Sequence, residues 1–132
     1  MYALDTNTLV YFFKGVGDVP ARMLATAPSL IGIPAIVAYE IETGIAKSRA
    51  PERRRRQFNE LLATTTLLPF DRDAATHAAS IRARLEKEGN PIGPLDTLIA
   101  GTALAYSAIL VTHNTAEFTR IAELQVTDWC AA

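Results

Sequence analysis

The chain has 132 residues, a formal net charge of −1 and one cysteine, Cys130. That length predicts a single domain, residues 1–132, able to bury roughly two thirds of its unfolded surface without staples, and a lone cysteine excludes an internal disulfide and favours a reducing compartment. No apolar run approaches the roughly 20 residues that span a bilayer, and the first residues run straight into a strand instead of a cleavable leader, so a soluble, cytoplasmic protein with no membrane association is expected.

Residues 1–4 read as a short buried strand, and Asp5 stands at its carboxyl end, where open α/β sheets place their ligands. Asp5, Thr6 and Asn7 are also good helix N-caps, which alone would explain any one of them. The helix they open is expected over residues 8–14, with Leu9, Val10, Phe12 and Phe13 turned to the sheet. A turn at residues 15–18 and a short helix from Pro20 through Leu24 follow, broken at Ala27-Pro28. Residues 29–33 read as a second strand. Pro34 then starts a helix in which Ile36, Val37, Ile41 and Ile45 recur at helical spacing.

Glu40 and Glu42 lie on that helix about 200° apart, so they cannot share a site. Glu40 flanks the apolar stripe, with Gly44 one turn on leaving room beside it, and is the functional candidate; Glu42 faces solvent. A carboxylate near a buried helix edge costs several kcal/mol unless it is paired or binds a metal. Arg53 to Arg56 open the next helix, whose buried side is Phe58, Leu61 and Leu62. Residues 65–70 form a third strand, set at a sheet edge by Pro69. Asp71 or Asp73 caps the following helix, where Ala74, Ala78, Ile81 and Leu85 repeat and Gly89 ends the run.

The loop of residues 90–94 delivers Leu95-Asp96 to the first turn of a slim, alanine-rich helix. A dipole contribution of a few tenths of a kcal/mol would explain an acid there, but Asp96 also lies close to the packed side. Residues 108–112 form a fourth strand, followed at its carboxyl end by His113, Asn114 and, in a short helix, Glu117. Residues 124–127 close the sheet, and Trp129 covers an exposed end of the core. His113 is a weak candidate for a general base and His77 is structural.

Strands alternating with helices predict an α/β protein with a mostly parallel sheet covered on both faces. Right-handed crossovers bring the ends of the first and fourth strands together at a switch point, gathering Asp5, Glu40, Asp96, Asn114 and Glu117 around one cavity. Carboxylates so placed repel one another unless a cation is present, and Mg²⁺ or Mn²⁺ suits oxygen donors far better than zinc. An ion of this kind polarises a phosphoryl group and activates water, the chemistry of phosphodiester hydrolysis. Ten of the thirteen Lys and Arg lie within residues 47–87, against five acids, leaving three bases and nine acids elsewhere. A basic lobe beside an acidic pole suits a polyanion such as RNA, although solvated helix faces would give the same pattern.

Four stretches carry a resemblance: Leu4-Asp5-Thr6-Asn7; the Glu-x-x-x-Gly of Glu40 and Gly44; Ile92-Gly93-Pro94-Leu95-Asp96-Thr97-Leu98-Ile99-Ala100; and Leu110-Val111-Thr112-His113-Asn114-Thr115-Ala116-Glu117-Phe118 with Leu124 and Trp129 beyond. In this order and spacing the chain resembles, over nearly its full length, PIN-domain ribonucleases of the VapC toxin type. The resemblance implies a three-layer α/β/α PIN-like fold and a metal-dependent endoribonuclease. It also implies action on structured RNA such as tRNA, a homodimer, and a cognate VapB-like antitoxin. Carried over to this chain, the acidic positions are Asp5, Glu40 and Asp96, with Thr6 as a hydroxyl neighbour. Where many relatives have a fourth Asp, this chain has Asn114, a neutral ligand; Glu117 is the nearby substitute, which leaves one-metal or two-metal chemistry open.

Two other readings stand beside the nuclease. Asn114 motivates a PIN-fold RNA- or partner-binding module with weak or no turnover. A phosphoacceptor receiver domain also uses strand-end aspartates and Mg²⁺, but no lysine follows Val111 to complete it.

Overall fold

A computed structural model describes residues 1–130. Five short strands, β1 (Tyr2–Leu4), β2 (Ile31–Pro34), β3 (Thr66–Leu68), β4 (Ile109–Val111) and β5 (Val126–Thr127), pair in the order β3-β2-β1-β4-β5. All four pairings are parallel, so the sheet is wholly rather than mostly parallel. Such a sheet is buried on both faces. Its middle reads accordingly, with Ala3 and Leu4 of β1 and Leu110 and Val111 of β4 fully enclosed.

Seven helices join the strands: α1 (Thr6–Lys14), α2 (Val19–Ala25), α3 (Ala35–Lys47), α4 (Glu52–Thr64), α5 (Arg72–Lys87), α6 (Pro94–Ala105) and α7 (Thr115–Phe118). The chain moves outward from β1 to β3 and then returns across the sheet to β4. Right-handed crossovers therefore put the first connections on one face and the later ones on the other, giving three layers. The reversal falls between β1 and β4, whose registers match Leu4 with Val111, so both strands end at the same level. That level is the switch point where α/β sheets bind ligands.

Local chemistry explains the element ends and some shifts from expectation. Helix α1 starts at Thr6, two residues earlier than expected, because the Asp5 carboxylate accepts from Thr8 N at 2.8 Å and caps it. Pro28–Leu30 forms a 3₁₀ turn, so β2 begins at Ile31 rather than residue 29. Pro34, expected to start a helix, ends that strand and stands before α3 with its φ fixed at −57°. The third and fifth strands are shorter than expected, and β3 is an edge strand, as Pro69 implied. Of the two candidate caps Asp71 and Asp73, Asp71 accepts from Ala74 N at 3.0 Å.

The core holds Leu4, Leu9, Ile33, Phe58, Leu85, Ile99, Leu110 and Phe118, all essentially solvent-free. Helix α5 lies directly on α6, and Gly101 makes this possible: a Cβ there would fall 2.6 Å from the Ala78 Cβ. Trp129 is 4% exposed and packs on Tyr2 with ring centroids 5.2 Å apart, closing the core beside β1.

Candidate active site

The site starts from the backbone. Asp5 N donates to Val111 O at 3.1 Å, and the Thr8 hydroxyl donates to the same carbonyl at 3.1 Å, tying the ends of β1 and β4 together. This fixes Asp5 at the centre of the sheet edge, only 5% exposed. Burial pushes its carboxyl above the ordinary range; hydrogen bonds from Thr112 and Thr8 favour the ion and oppose that, and the Glu40 charge adds to the rise. A strand-end acid that cannot reach water is held by hydroxyls and amides instead.

Glu40 comes from α3, half-buried, and its Oε1 accepts from the Thr6 hydroxyl at 2.6 Å. Thr6 immediately follows Asp5, so this bond brings the α3 acid to the mouth of the first turn. Glu42 points away and lies in a forked pair with Arg55 at 2.5 and 2.9 Å, the solvent-facing role expected of it. Asp96 sits in the first turn of α6. Its pKa is raised to about 6, first by burial and then by the charges of Glu117, Asp5 and Glu40, with hydrogen bonding to Glu117 adding to the shift. The long-range causes are informative, because a carboxyl feels the charges of three others only when all four share one neighbourhood.

Glu117 approaches from α7. Its Oε2 accepts from Asn114 Nδ2 at 2.6 Å, while Asn114 N donates to the Thr112 hydroxyl at 3.0 Å. Asn114 itself is exposed. It thus steadies the fourth acid through its amide, and Asp5, Glu40, Asp96 and Glu117 gather at the carboxyl end of the sheet. Among the described residues, no three acidic, histidine or cysteine side chains stand close enough together to grip an ion as they lie. Asp96 and Glu117 lie within hydrogen-bonding reach of each other, and the four carboxylates form no tighter group. An all-oxygen donor set of this kind fits a hard divalent cation.

His113 stands outside this group: its Nδ1 lies 2.9 Å from Asp128 Oδ2 and its ring meets Tyr11 edge-on. It is exposed to solvent. His77 is a half-buried residue of α5, 3.9 Å from Asp73. The buried Thr112 was not expected as a contributor, yet its side chain binds Asp5 and receives the Asn114 amide. A threonine closing an apolar strand just before a polar turn was the available signal.

The pattern that describes the PIN domain matches residues 2–124. The chain is 35% identical over 129 residues to the tRNA(fMet)-specific endonuclease VapC of Salmonella typhimurium, covering 98% of both chains. Among solved structures, it superposes on DNA-bound VapBC from the same organism with a TM-score of 0.90 and 35% identity, covering 98% of each chain. VapBC2 from Rickettsia felis, bound to a promoter DNA fragment, gives 0.89 and 32%, over 97% of this chain and 98% of that one. The four carboxylates thus sit at the switch point of a fold shared end to end with ribonucleases of this kind, and the chain belongs to the PIN-domain family, among its VapC-type ribonucleases.

Proposed function

We propose that this chain is an endoribonuclease, the toxin of a toxin–antitoxin pair, hydrolysing phosphodiester bonds in RNA with a Mg²⁺ or Mn²⁺ ion held by Asp5, Glu40 and Asp96. The observation that carries the proposal is the gathering of Asp5, Glu40, Asp96 and Glu117 at one sheet end, where burial first and the other three charges second raise the pKa of Asp96 to about 6. Such an ion, when bound, polarises the phosphoryl group and activates the attacking water. The protein's own residues do the rest. Asp5 is fixed by the α1 cap and by Thr112; Thr6 orients Glu40; Asn114 orients Glu117 and offers a carbonyl oxygen of its own. Neutralising charge would let the acids draw together around the cation, and the basic segment beyond α3 attracts the RNA. Glu117 supplies the negative charge that Asn114 lacks, so turnover rather than binding alone is the reading we hold.

The names of the relatives support a tRNA substrate. Solved relatives that are VapBC complexes support a VapB-like antitoxin as partner. A homodimer in the bacterial cytoplasm completes the proposal; no helix among the described residues is long and apolar enough to cross a membrane. Purified protein incubated with tRNA(fMet) and with bulk tRNA is expected to give discrete products in Mg²⁺ or Mn²⁺ and none in EDTA, with the cut located by sequencing the ends. Cutting that persists in EDTA, or no cutting with either ion, sinks the proposal.

A further inference from the structure

A cleft of about 680 Å³ opens between α1, α3 and α4, within the size range of ligand pockets. It begins at the acidic site, because Thr6 and Glu40 form part of its wall. From there its lining changes in character. Phe13 and Ile41 give an apolar floor, Gln57 adds an amide, and Lys14, Arg53 and Arg54 bring positive charge. Among the described residues neither Arg53 nor Arg54 pairs with a carboxylate, whereas Arg55, one residue on, is tied to Glu42. The Arg54 guanidinium lies over the Phe13 ring, 4.6 Å from its centroid. Partial burial and the neighbouring Arg53 charge lower its pKa.

Gly44 supplies an independent observation. It sits in the interior of α3 and lines the cleft. Glycine there costs about 1 kcal/mol relative to alanine. Close packing usually explains such a residue, as it does for Gly101, but a Cβ at Gly44 would meet nothing within 4 Å. Gly44 is exposed on the cleft side of α3, so the wall is open there and a larger side chain would project into the cleft.

We infer that this cleft is a nucleotide subsite: it takes an unpaired base of the RNA strand next to the bond being cut, laid over Gly44 and against the Arg54–Phe13 stack, with the adjoining phosphates on Arg53 and Lys14. Unpaired RNA bases are recognised in this way, by stacking on aromatic rings and guanidinium planes and by hydrogen bonds to amide side chains. Continuity with Thr6 and Glu40 puts the base on one flank of the scissile phosphate, so the subsite selects which sequence is cut. The inference rests on the ribonuclease reading for its substrate, but its test separates the two.

The test is a graded series, Gly44→Ala, Gly44→Leu and Gly44→Phe, with Arg53→Gln as a rim variant. Binding of fluorescently labelled tRNA(fMet) is measured in an Asp5→Asn background, and KM and kcat are measured with Asp5 intact. Binding is expected to weaken as the side chain grows, from within twofold for alanine to tenfold or more for phenylalanine. KM should rise in step, kcat should stay within twofold, and melting temperatures should hold or rise. Arg53→Gln is expected to weaken binding several-fold without touching the cleft floor. An abasic nucleotide beside the cut should weaken binding to Gly44 protein while adding nothing to the defect of Gly44→Phe. Unchanged RNA affinity and KM in folded Gly44→Leu and Gly44→Phe overturn the subsite and leave the cleft to a protein partner. If no RNA is cut at all, the ribonuclease reading fails, and a graded loss of binding still upholds the subsite.

Discussion

Asp5 and Asp71 perform the same local task in two different places. Each follows a strand, and each caps the next helix by accepting from the amide three residues on, at 2.8 and 3.0 Å. Asp71 is exposed, and beyond the helix cap its neighbour is the Tyr106 hydroxyl, which hydrogen-bonds to it. Around Asp5 there are the end of β4, the Thr112 hydroxyl and the charge of Glu40, and the residue is almost fully enclosed. β3 lies at the edge of the sheet and β1 at its centre, next to the reversal of strand order. The same capping chemistry is thus structural at the edge and part of the proposed cation site at the middle. Position in the sheet, not the motif, separates them, and being a cap does not argue against being a ligand.

The comparison breaks most sharply if both residues are changed to asparagine, which caps a helix as well as aspartate does. Asp5→Asn is expected to keep the fold and reduce RNA cutting by roughly 10³-fold or more, the equivalent of losing about 4 kcal/mol of charge stabilisation in the transition state. Asp71→Asn should leave both cutting and stability as they are. Asp71→Ala should lower stability by about 1 kcal/mol through loss of the cap, again with cutting unchanged. Initial rates in Mg²⁺ together with urea melts check all three, and equal loss of activity from Asp5→Asn and Asp71→Asn would remove the distinction.

A smaller effect appears in stability against pH, measured with chelator present. The folded Asp96 carboxyl titrates at about 6, above its ordinary value of 3.8. A raised folded pKa means that the stabilisation is complete below about pH 4 and is lost as pH rises through 6. Asp5 is shifted in the same direction. Glu42 and Glu123, paired with Arg55 and Arg84, are shifted downward and oppose the trend, so the informative quantity is the difference between proteins. Asp96→Asn should abolish cutting, yet be more stable than the parent at pH 7.5 by about 1 kcal/mol, a figure discounted for a half-exposed group. The gap should shrink as pH falls through 6 and close below about pH 4, and Mg²⁺ should narrow it at pH 7.5 by stabilising only the parent. A gap independent of pH would mean that neither burial nor the neighbouring acids shift Asp96.

Much of this was legible in residue order because the strands are short and end abruptly in polar residues. Leu4-Asp5 and the residues after Val111 announced two strand ends, and alternating helices required a parallel sheet that joins them. Glu40 was separable from Glu42 because helical geometry puts them on different sides. What could not be read depended on contacts between distant segments. The hydroxyl bond from Thr6 to Glu40 spans 34 residues, and no local pattern announces it. Thr112 reads only as the end of an apolar run until Asp5 is set beside it. Four consecutive arginines of α4 must point all round the helix, so at most two can face one partner, but which go where is set by the fold: Arg55 goes to Glu42, while Arg53 and Arg54 turn to the cleft. The start of β2 was displaced by a 3₁₀ turn that proline and serine do not specify by themselves.

The smallest expected effect sharpens the comparison at the β4 side of the site. Asn114 donates to Glu117 at 2.6 Å and carries no charge. Asn114→Asp removes that donor and places a fifth carboxylate near the four already gathered, so without metal the protein should lose a few tenths of a kcal/mol, modest because the position is exposed. With Mn²⁺ the sign should reverse, since added negative charge favours a hard cation at an oxygen site. Titrating Mn²⁺ against melting temperature for both proteins reads the change, and a midpoint lowered by up to tenfold is expected for Asn114→Asp. A midpoint raised by the substitution would mean that the Asn114 amide serves the site only by steadying Glu117, and that charge at this corner adds nothing to ion binding.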